Sequence, residues 1–331
     1  MLKLGIIGTN GISDGFVDAV STTGAYELHS VLSRTMENAQ RFSQKYGSNV
    51  QAYSDLNEFL ADEILDVVYV ATPNSVHFAQ TKAALQAKKH VIVEKPAFSN
   101  PSELSEVIKV AHENDCYFFE AIRTLYNDGF RAIHDLISKK TVLAASFRFA
   151  AYDYRMADVL SGGEPPSFSR KFSGGSLTDI GVYLLYPTIA LFGPPKSSFY
   201  SAKFLPTGVD GNGIGILDYD CFRVLFDIGR NIQTYSPQSE IYCSDGTLVI
   251  DSFSNLDHII WHAHQGETVE LTFDRKPNSM TDQSIIFAEI IKNHDEEAFD
   301  EMLKLTQQVN QTMYEMRKIA KISFVADEAK I

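Results

Sequence analysis

The chain has 331 residues, a formal net charge of −13, 44% hydrophobic residues and 21% charged ones. An acidic globular composition of this size allows two domains with filled cores. It argues against a protein whose main task is to hold nucleic acid or an anionic membrane surface. No apolar run approaches the ~20 residues of a membrane helix, and residues 1–8 read as a strand rather than a signal peptide. Cys116, Cys221 and Cys243 form no motif, which fits a reducing cytoplasm better than a disulfide framework.

Strand-like and helix-like segments alternate through the first 120 residues. Short apolar segments rich in β-branched residues lie at 2–7, 26–33, 67–71, 90–93 and 117–119, the texture of buried parallel strands. Helical stretches fall at 12–21, 36–46, 55–60, 76–86 and 102–114. Ser54-Asp55 opens one helix and Asn100-Pro101 stands just before another. This order predicts a doubly wound parallel sheet of the Rossmann type over residues 1–121.

Beyond about residue 140 the strands follow one another: 141–154, 198–205, 215–227, 231–235, 239–243 and 247–250. Asp210-Gly211-Asn212-Gly213 and Asp245-Gly246 read as turns between them. Strands without intervening helices predict a mostly antiparallel sheet. A helix over 179–192 ends at Gly193-Pro194-Pro195, and 282–293 and 300–321 are helical again. Residues 162–176, rich in Gly, Ser and Pro, form a loop long enough to suggest a functional role. The fold class is α/β. A second domain is expected over 122–331, with terminal helices free to pack back on the first.

The first strand runs into Gly8-Thr9-Asn10-Gly11-Ile12-Ser13 and then a helix. This is the place for a Gly-x-Gly-x-x-Gly/Ala fingerprint, where N–H groups at a helix start receive a pyrophosphate. Gly8 takes the first position, Asn10 the second and Ser13 the third. Asn tolerates positive φ and Ser is small, so the turn can form. By itself the turn leaves a ligand-free strand-to-helix connection open. The second strand ends in Ser33-Arg34-Thr35, where an NAD enzyme usually has an acid for the ribose 2′-hydroxyl. Hydroxyls and a guanidinium instead favour the 2′-phosphate of NADP, with NAD a possible cofactor as well.

Ala71-Thr72-Pro73-Asn74 with His77, and Glu94-Lys95-Pro96, stand at the ends of later strands, where open α/β sheets bind ligands. Together with 8–13, Phe119-Glu120-Ala121 and 174–183, they resemble the glucose–fructose oxidoreductase / inositol dehydrogenase / rhizopine catabolism (Gfo/Idh/MocA) family. The resemblance follows order and spacing over nearly the whole chain. It implies an N-terminal Rossmann domain, a C-terminal α/β domain with a large open sheet that commonly mediates oligomerisation, and a homodimer or higher homo-oligomer. It implies hydride transfer between a nicotinamide and a hydroxyl-bearing carbon of a sugar, polyol or related cyclic alcohol. Lys95 would lie near the reacting oxygen. Thr72, Pro73, Asn74, His77, Glu94, Lys95 and Pro96 would line the cofactor, with Gly8, Thr9, Asn10, Gly11, Ile12, Ser33 and Arg34.

Asp179-Ile180-Gly181-Val182-Tyr183 resembles the branch that holds dimeric dihydrodiol dehydrogenase and some sugar dehydrogenases, in which the tyrosine is the proposed acid/base. Arg123 and Leu125 depart from that branch's usual Trp and Arg, so its substrate is not carried over. A free phenol titrates near pH 10, and a neighbouring ammonium lowers that value. Lys95 could serve Tyr183 in this way and polarise the substrate oxygen. Asp179 would orient Lys95 or bind a substrate hydroxyl.

Other signals are weaker. His262 and His264 would share a strand face, but two ligands without a third assign no metal. Asp295-Glu296-Glu297 reads as a solvated helix connection. Arg148, Tyr152, Arg155 and Arg170 could line a substrate cleft or be surface charges. A catalytically silent NAD(P)-binding regulatory protein is the main rival reading, left room by Asn10 and the altered residues around Arg123. A scaffold using only the second sheet would bind no cofactor at all.

Overall fold

The computed structural model describes residues 1–235 and 238–328; residues 236–237 and 329–331 of the expected second domain lie outside that set. The chain divides into two compact units. One comprises Met1–Phe98, Ser102–Arg123 and Lys276–Lys304, the other Ser99–Pro101, Thr124–Arg275 and Leu305–Ile331.

The first unit holds a parallel sheet of β1 (Leu2–Ile7), β2 (Tyr26–Leu32), β3 (Gln51–Tyr53), β4 (Val67–Val70), β5 (His90–Glu94) and β6 (Phe118–Ala121). Its order is β3-β2-β1-β4-β5-β6. Helices α1 (Gly11–Ser21), α2 (Met36–Ser43), α3 (Leu56–Leu60), α4 (Asn74–Gln86) and α5 (Pro101–Glu113) make the crossovers. Every residue of β4 is buried, as a central strand covered on both faces requires. On α1, Phe16 stacks on Tyr69 of β4 with ring centroids 3.8 Å apart. The helix starts follow their capping chemistry: Asp55 accepts from the N–H groups of Asn57 and Glu58, and Pro101 opens α5. β3 has three residues, too few to show a period in sequence. The strand order reverses between β1 and β4, and that reversal places the ligand crevice of such sheets at their C-terminal ends.

In the second unit, α6 (Asp128–Ile137) precedes a sheet of eight strands. These are β7 (Val142–Ala150), β8 (Ser197–Phe204), β9 (Asp210–Asp218), β10 (Arg223–Gly229), β11 (Ser239–Cys243), β12 (Gly246–Ile250), β13 (Ile259–Ala263) and β14 (Thr268–Glu270). The order is β14-β13-β12-β11-β7-β10-β9-β8, antiparallel except where β7 meets β10. Helices α7 (Met156–Leu160) and α8 (Val182–Phe192) lie between β7 and β8 in the chain. One face is apolar and covered: Phe147, Val224, Phe226, Ile228 and Ile241 are at most 1% exposed. The other face carries exposed Phe199, Ile214 and Leu225, with an Arg148–Asp227 ion pair of 3.0 Å.

Several sequence expectations change here. Residues 210–213 are not a turn but the start of β9. Asp210 is there because its buried carboxylate accepts from Leu177 N–H and the Tyr200 hydroxyl. The reversal comes earlier, at Gly208, whose N–H donates to Leu205. The expected strand 215–227 is two strands, broken where Tyr219 and Phe222 stack across a turn. The expected strand 231–235 is absent, because Arg230 and Asn231 both donate to the Gly211 carbonyl and the ladder stops. The strand expected over 141–154 ends at Ala150.

The terminal helices are α9 (Thr281–Asn293) and α10 (Glu296–Ile319). In the first unit, Phe287 of α9 stacks on Phe119 with centroids 4.5 Å apart, and the Tyr26 hydroxyl donates to Ser284. Phe299, near the start of α10, lies edge-on to Tyr117. From Leu305 onward α10 belongs to the second unit, where Tyr186 and Thr306 hydroxyls meet at 3.1 Å.

Candidate active site

In the first unit, β1 hands the chain to α1 through Gly8 at φ +104°. A Cβ at this position would sit 2.4 Å from the Ala71 carbonyl oxygen at the end of β4, so only glycine fits. Asn10 works differently from the sequence expectation. Its φ is −100°, and it is the N-cap of α1. Its side-chain oxygen accepts from the N–H groups of Ile12 and Ser13, while its amide donates to Ala71 at 2.8 Å. Asn is therefore selected as a clamp between β4 and the helix start. Ser13 is fully buried and donates to Gly8 O at 2.8 Å, closing the turn. Ile12 N–H is occupied by the cap. Among the described residues, the N–H groups of Thr9, Asn10 and Gly11 donate to nothing, leaving a row of donors at a helix N-terminus.

The end of β2 lies beside this turn. Thr9 and Ser33 hydroxyls are 3.0 Å apart. Arg34 is exposed and makes no ion pair or hydrogen bond among the described residues, and Thr35 caps α2. His77 is fully buried and joins two loops: Nε2 lies 2.7 Å from Thr72 O and Nδ1 3.1 Å from Pro96 O. Burial pushes its pKa down, against the two carbonyl oxygens that face the ring. The Thr72 hydroxyl donates to Gln80 at 2.6 Å, fixing the start of α4. Glu94 is buried and accepts from the Tyr69 hydroxyl at 2.5 Å; burial raises its pKa. Lys95 follows at the end of β5, half-buried. Ala97 N–H donates to Glu120, tying the strand end to β6.

In the second unit, Asp179 lies in a π-helical turn, Leu177–Gly181, that leads into α8. Such wide turns are frequent at functional sites. Buried Asp210 holds its first N–H at 2.7 Å. Gly175, at φ +120°, brings the preceding loop over that carboxylate; a Cβ there would meet Asp210 Oδ1 at 2.2 Å. Burial raises the pKa of Asp210. Tyr183 is half-buried at the start of α8 and lies edge-on to Phe149.

Sequence reasoning missed Arg230 and Asp153, two of the charged groups near Asp179. Arg230, just past β10, has its Nε 3.5 Å from Asp179 Oδ2. Asp153, 1% exposed, is ion-paired to both Arg230 and Arg155. A charged residue closing the apolar run of β10 was the only available signal. Of the proposed cleft residues, Arg155 is drawn into this cluster and Arg148 lies on the exposed sheet face. Arg170 donates to Ser323 near the chain's end, and Tyr152 is 51% exposed. His262 contacts Thr268 across β13 and β14, while His264 lies just past β13.

A parallel sheet with this strand order and phosphate-type turn defines a dinucleotide-binding α/β protein joined to a large open-sheet unit. Residues 2–121 match the family model described as the oxidoreductase family with an NAD-binding Rossmann fold, and residues 141–249 match the GFO/IDH/MocA C-terminal domain. The chain belongs to the Gfo/Idh/MocA oxidoreductase family. It is 33% identical over 333 residues to the uncharacterized oxidoreductase YgjR of Escherichia coli, covering 100% of both chains. It is 32% identical over 330 residues to scyllo-inositol 2-dehydrogenase (NADP(+)) IolU of Bacillus subtilis, covering 99% of this chain and 100% of the other. A 3-ketoreductase of Actinomadura kijaniata, solved with NADP and TDP-benzene, has the same fold: TM-score 0.81 at 19% identity, over 95% of this chain and 97% of that one.

Proposed function

We propose that the protein transfers a hydride between NADP(H) and a hydroxyl-bearing carbon of a sugar, polyol or related cyclic alcohol. The observation that carries this reading is the donor row at Thr9–Gly11 beside Ser33 and the unpaired Arg34. The N–H groups would bind the pyrophosphate, and Ser33 and Arg34 the 2′-phosphate. The name of the IolU relative supports both NADP and a cyclic polyol. When bound, the nicotinamide supplies or accepts the hydride.

The protein's own groups handle the proton. In oxidation the substrate hydroxyl must lose its proton as the hydride leaves, and Tyr183 would receive it. The Lys95 ammonium would stabilise the phenolate and the developing oxyanion. Asp179 would accept from a substrate hydroxyl and fix the ring's orientation. In reduction Tyr183 or Lys95 returns the proton.

The exposed apolar face supports a homodimer. Phe199, Ile216 and Leu225 are register neighbours across β8, β9 and β10, and Ile214 is 60% exposed beside them. Among the described residues no helix is long and apolar enough to cross a membrane, and all three cysteines are free thiols, which supports work in the cytoplasm.

Titration with NADPH and NADH, followed by fluorescence and thermal unfolding, tests the cofactor reading. Preference for NADPH, lost in Arg34→Asp by about tenfold to a hundredfold, is expected from removing one charge-assisted contact. Binding of neither nucleotide would overturn it and bring the scaffold reading forward. Turnover of scyllo-inositol and a panel of sugars then separates an enzyme from a silent regulator.

A further inference from the structure

Asp153 is a buried carboxylate whose hydrogen bonding is complete. Oδ1 accepts from Arg155 N–H at 2.8 Å and from Arg155 Nε at 2.9 Å. Oδ2 accepts from Arg155 Nη2 at 2.7 Å and from Arg230 Nη2. Four donors fill the sites that a carboxylate offers, so Asp153 has nothing left for a substrate. Its backbone N–H donates to Arg230 O at 2.8 Å, and Ala151 N–H to Gly229 O at 2.9 Å. The paired parallel strands β7 and β10 are thus locked just past their ends, where both charged side chains emerge. Arg155 is anchored further by Ser167, to which its Nη1 donates at 2.8 Å.

The charges do not cancel within this trio. One carboxylate faces two guanidinium groups, leaving one positive charge, and the next carboxylate is that of Asp179, 3.5 Å from Arg230 Nε. Arg230 Nε is buried and makes no hydrogen bond among the described residues, so its pull on Asp179 is Coulombic. The two guanidinium groups keep the Asp153 carboxyl well below the usual range. The trio therefore keeps one net positive charge facing Asp179.

We infer that Arg230, clamped by Asp153, is the positioning residue that holds the Asp179 carboxylate oriented for the substrate. This rests on the role proposed above for Asp179. Asp153 carries the arrangement without touching substrate, and Arg230 acts through Asp179 rather than on the reacting atoms. A lysine would keep the charge but lose the fork that grips Asp153 and faces Asp179 together.

The test is a double-mutant cycle with Arg230→Met and Asp179→Asn, read as kcat and KM for polyol oxidation with NADP+, beside NADPH affinity and thermal unfolding. Arg230→Met should lower kcat by about tenfold to a hundredfold, the scale of misplacing one reacting partner, with NADPH affinity unchanged. In the Asp179→Asn background the same change should cost almost nothing further. Arg230→Lys should recover part of the kcat. It also supplies the cycle should the Met variant not fold. Multiplying defects in the double variant would overturn the inference while leaving the role of Asp179 intact. Full turnover by Asp179→Asn alone would overturn both.

Discussion

The Tyr69 hydroxyl donates to Glu94 at 2.5 Å, with Tyr69 sealed under Phe16 and the carboxyl almost out of solvent. This bond sits one residue before Lys95. Burial raises the Glu94 pKa above its unfolded value, so the folded state holds that proton more tightly. The stability this gives is present below the unfolded pKa and is lost as pH rises through the folded one. Tyr69→Phe removes the donor to the ionised form and raises the folded pKa further. Chemical unfolding should show a deficit of about 1–3 kcal/mol where Glu94 is ionised, shrinking as pH falls through the raised folded pKa. A deficit independent of pH would mean that Glu94 is not the group affected.

Gly8→Ala places a methyl group against the Ala71 carbonyl and forces a left-handed residue. About 1–3 kcal/mol of stability should be lost from the strained backbone. NADPH affinity should fall with it, since the Thr9–Gly11 donors are aimed by this turn. Calorimetry and fluorescence titration read the two effects separately. Wild-type affinity in a folded variant would move the pyrophosphate site elsewhere.

Lys95→Met keeps a chain of similar length and removes the ammonium. Turnover should drop by about a hundredfold to ten-thousandfold, the range for losing a group that works on the proton in flight. NADPH affinity should change little. Steady-state kinetics with retained near-normal kcat would remove Lys95 from the chemistry.

Asp210→Leu would leave Leu177 N–H and the Tyr200 hydroxyl buried without an acceptor, at about 1–3 kcal/mol each. Asp210→Asn keeps an acceptor for Leu177 and should recover most of that stability. Because Asp210 anchors the π-helical turn that carries Asp179, the Leu variant should also lose kcat. Equal stability in the two variants would remove Asp210 as the anchor.

A double change, Ile214→Lys with Leu225→Lys, puts two cations on the exposed sheet face. Light scattering after size exclusion should give a dimer for the parent and a monomer for the variant. A monomeric parent would discard the dimer.

Local signals made much of this legible. The phosphate turn, the strand ends at Thr72 and Lys95, and the helix carrying Tyr183 were marked by short contiguous motifs with fixed spacing. Asn10 stands at the helix start, but its backbone is extended rather than left-handed, and its side chain bonds Ile12, Ser13 and the distant Ala71. Asp210-Gly211 read as a turn because composition is a local property, whereas the Asp210 partners lie at Leu177 and Tyr200. Arg230 was invisible for the same cause. It pairs with a carboxylate 77 positions earlier, and no periodicity encodes that separation.

Phe119 on β6 takes its aromatic cover from Phe287 and Phe299, which arrive more than 160 residues later. A cofactor-binding fragment cut from the gene at residue 123 would therefore emerge with its last strand bare, inviting self-association. The same geometry delays completion on the ribosome. The nucleotide-binding unit cannot close until α9 and the start of α10 have been synthesised, so its quality control is tied to the whole open-sheet unit having been translated first.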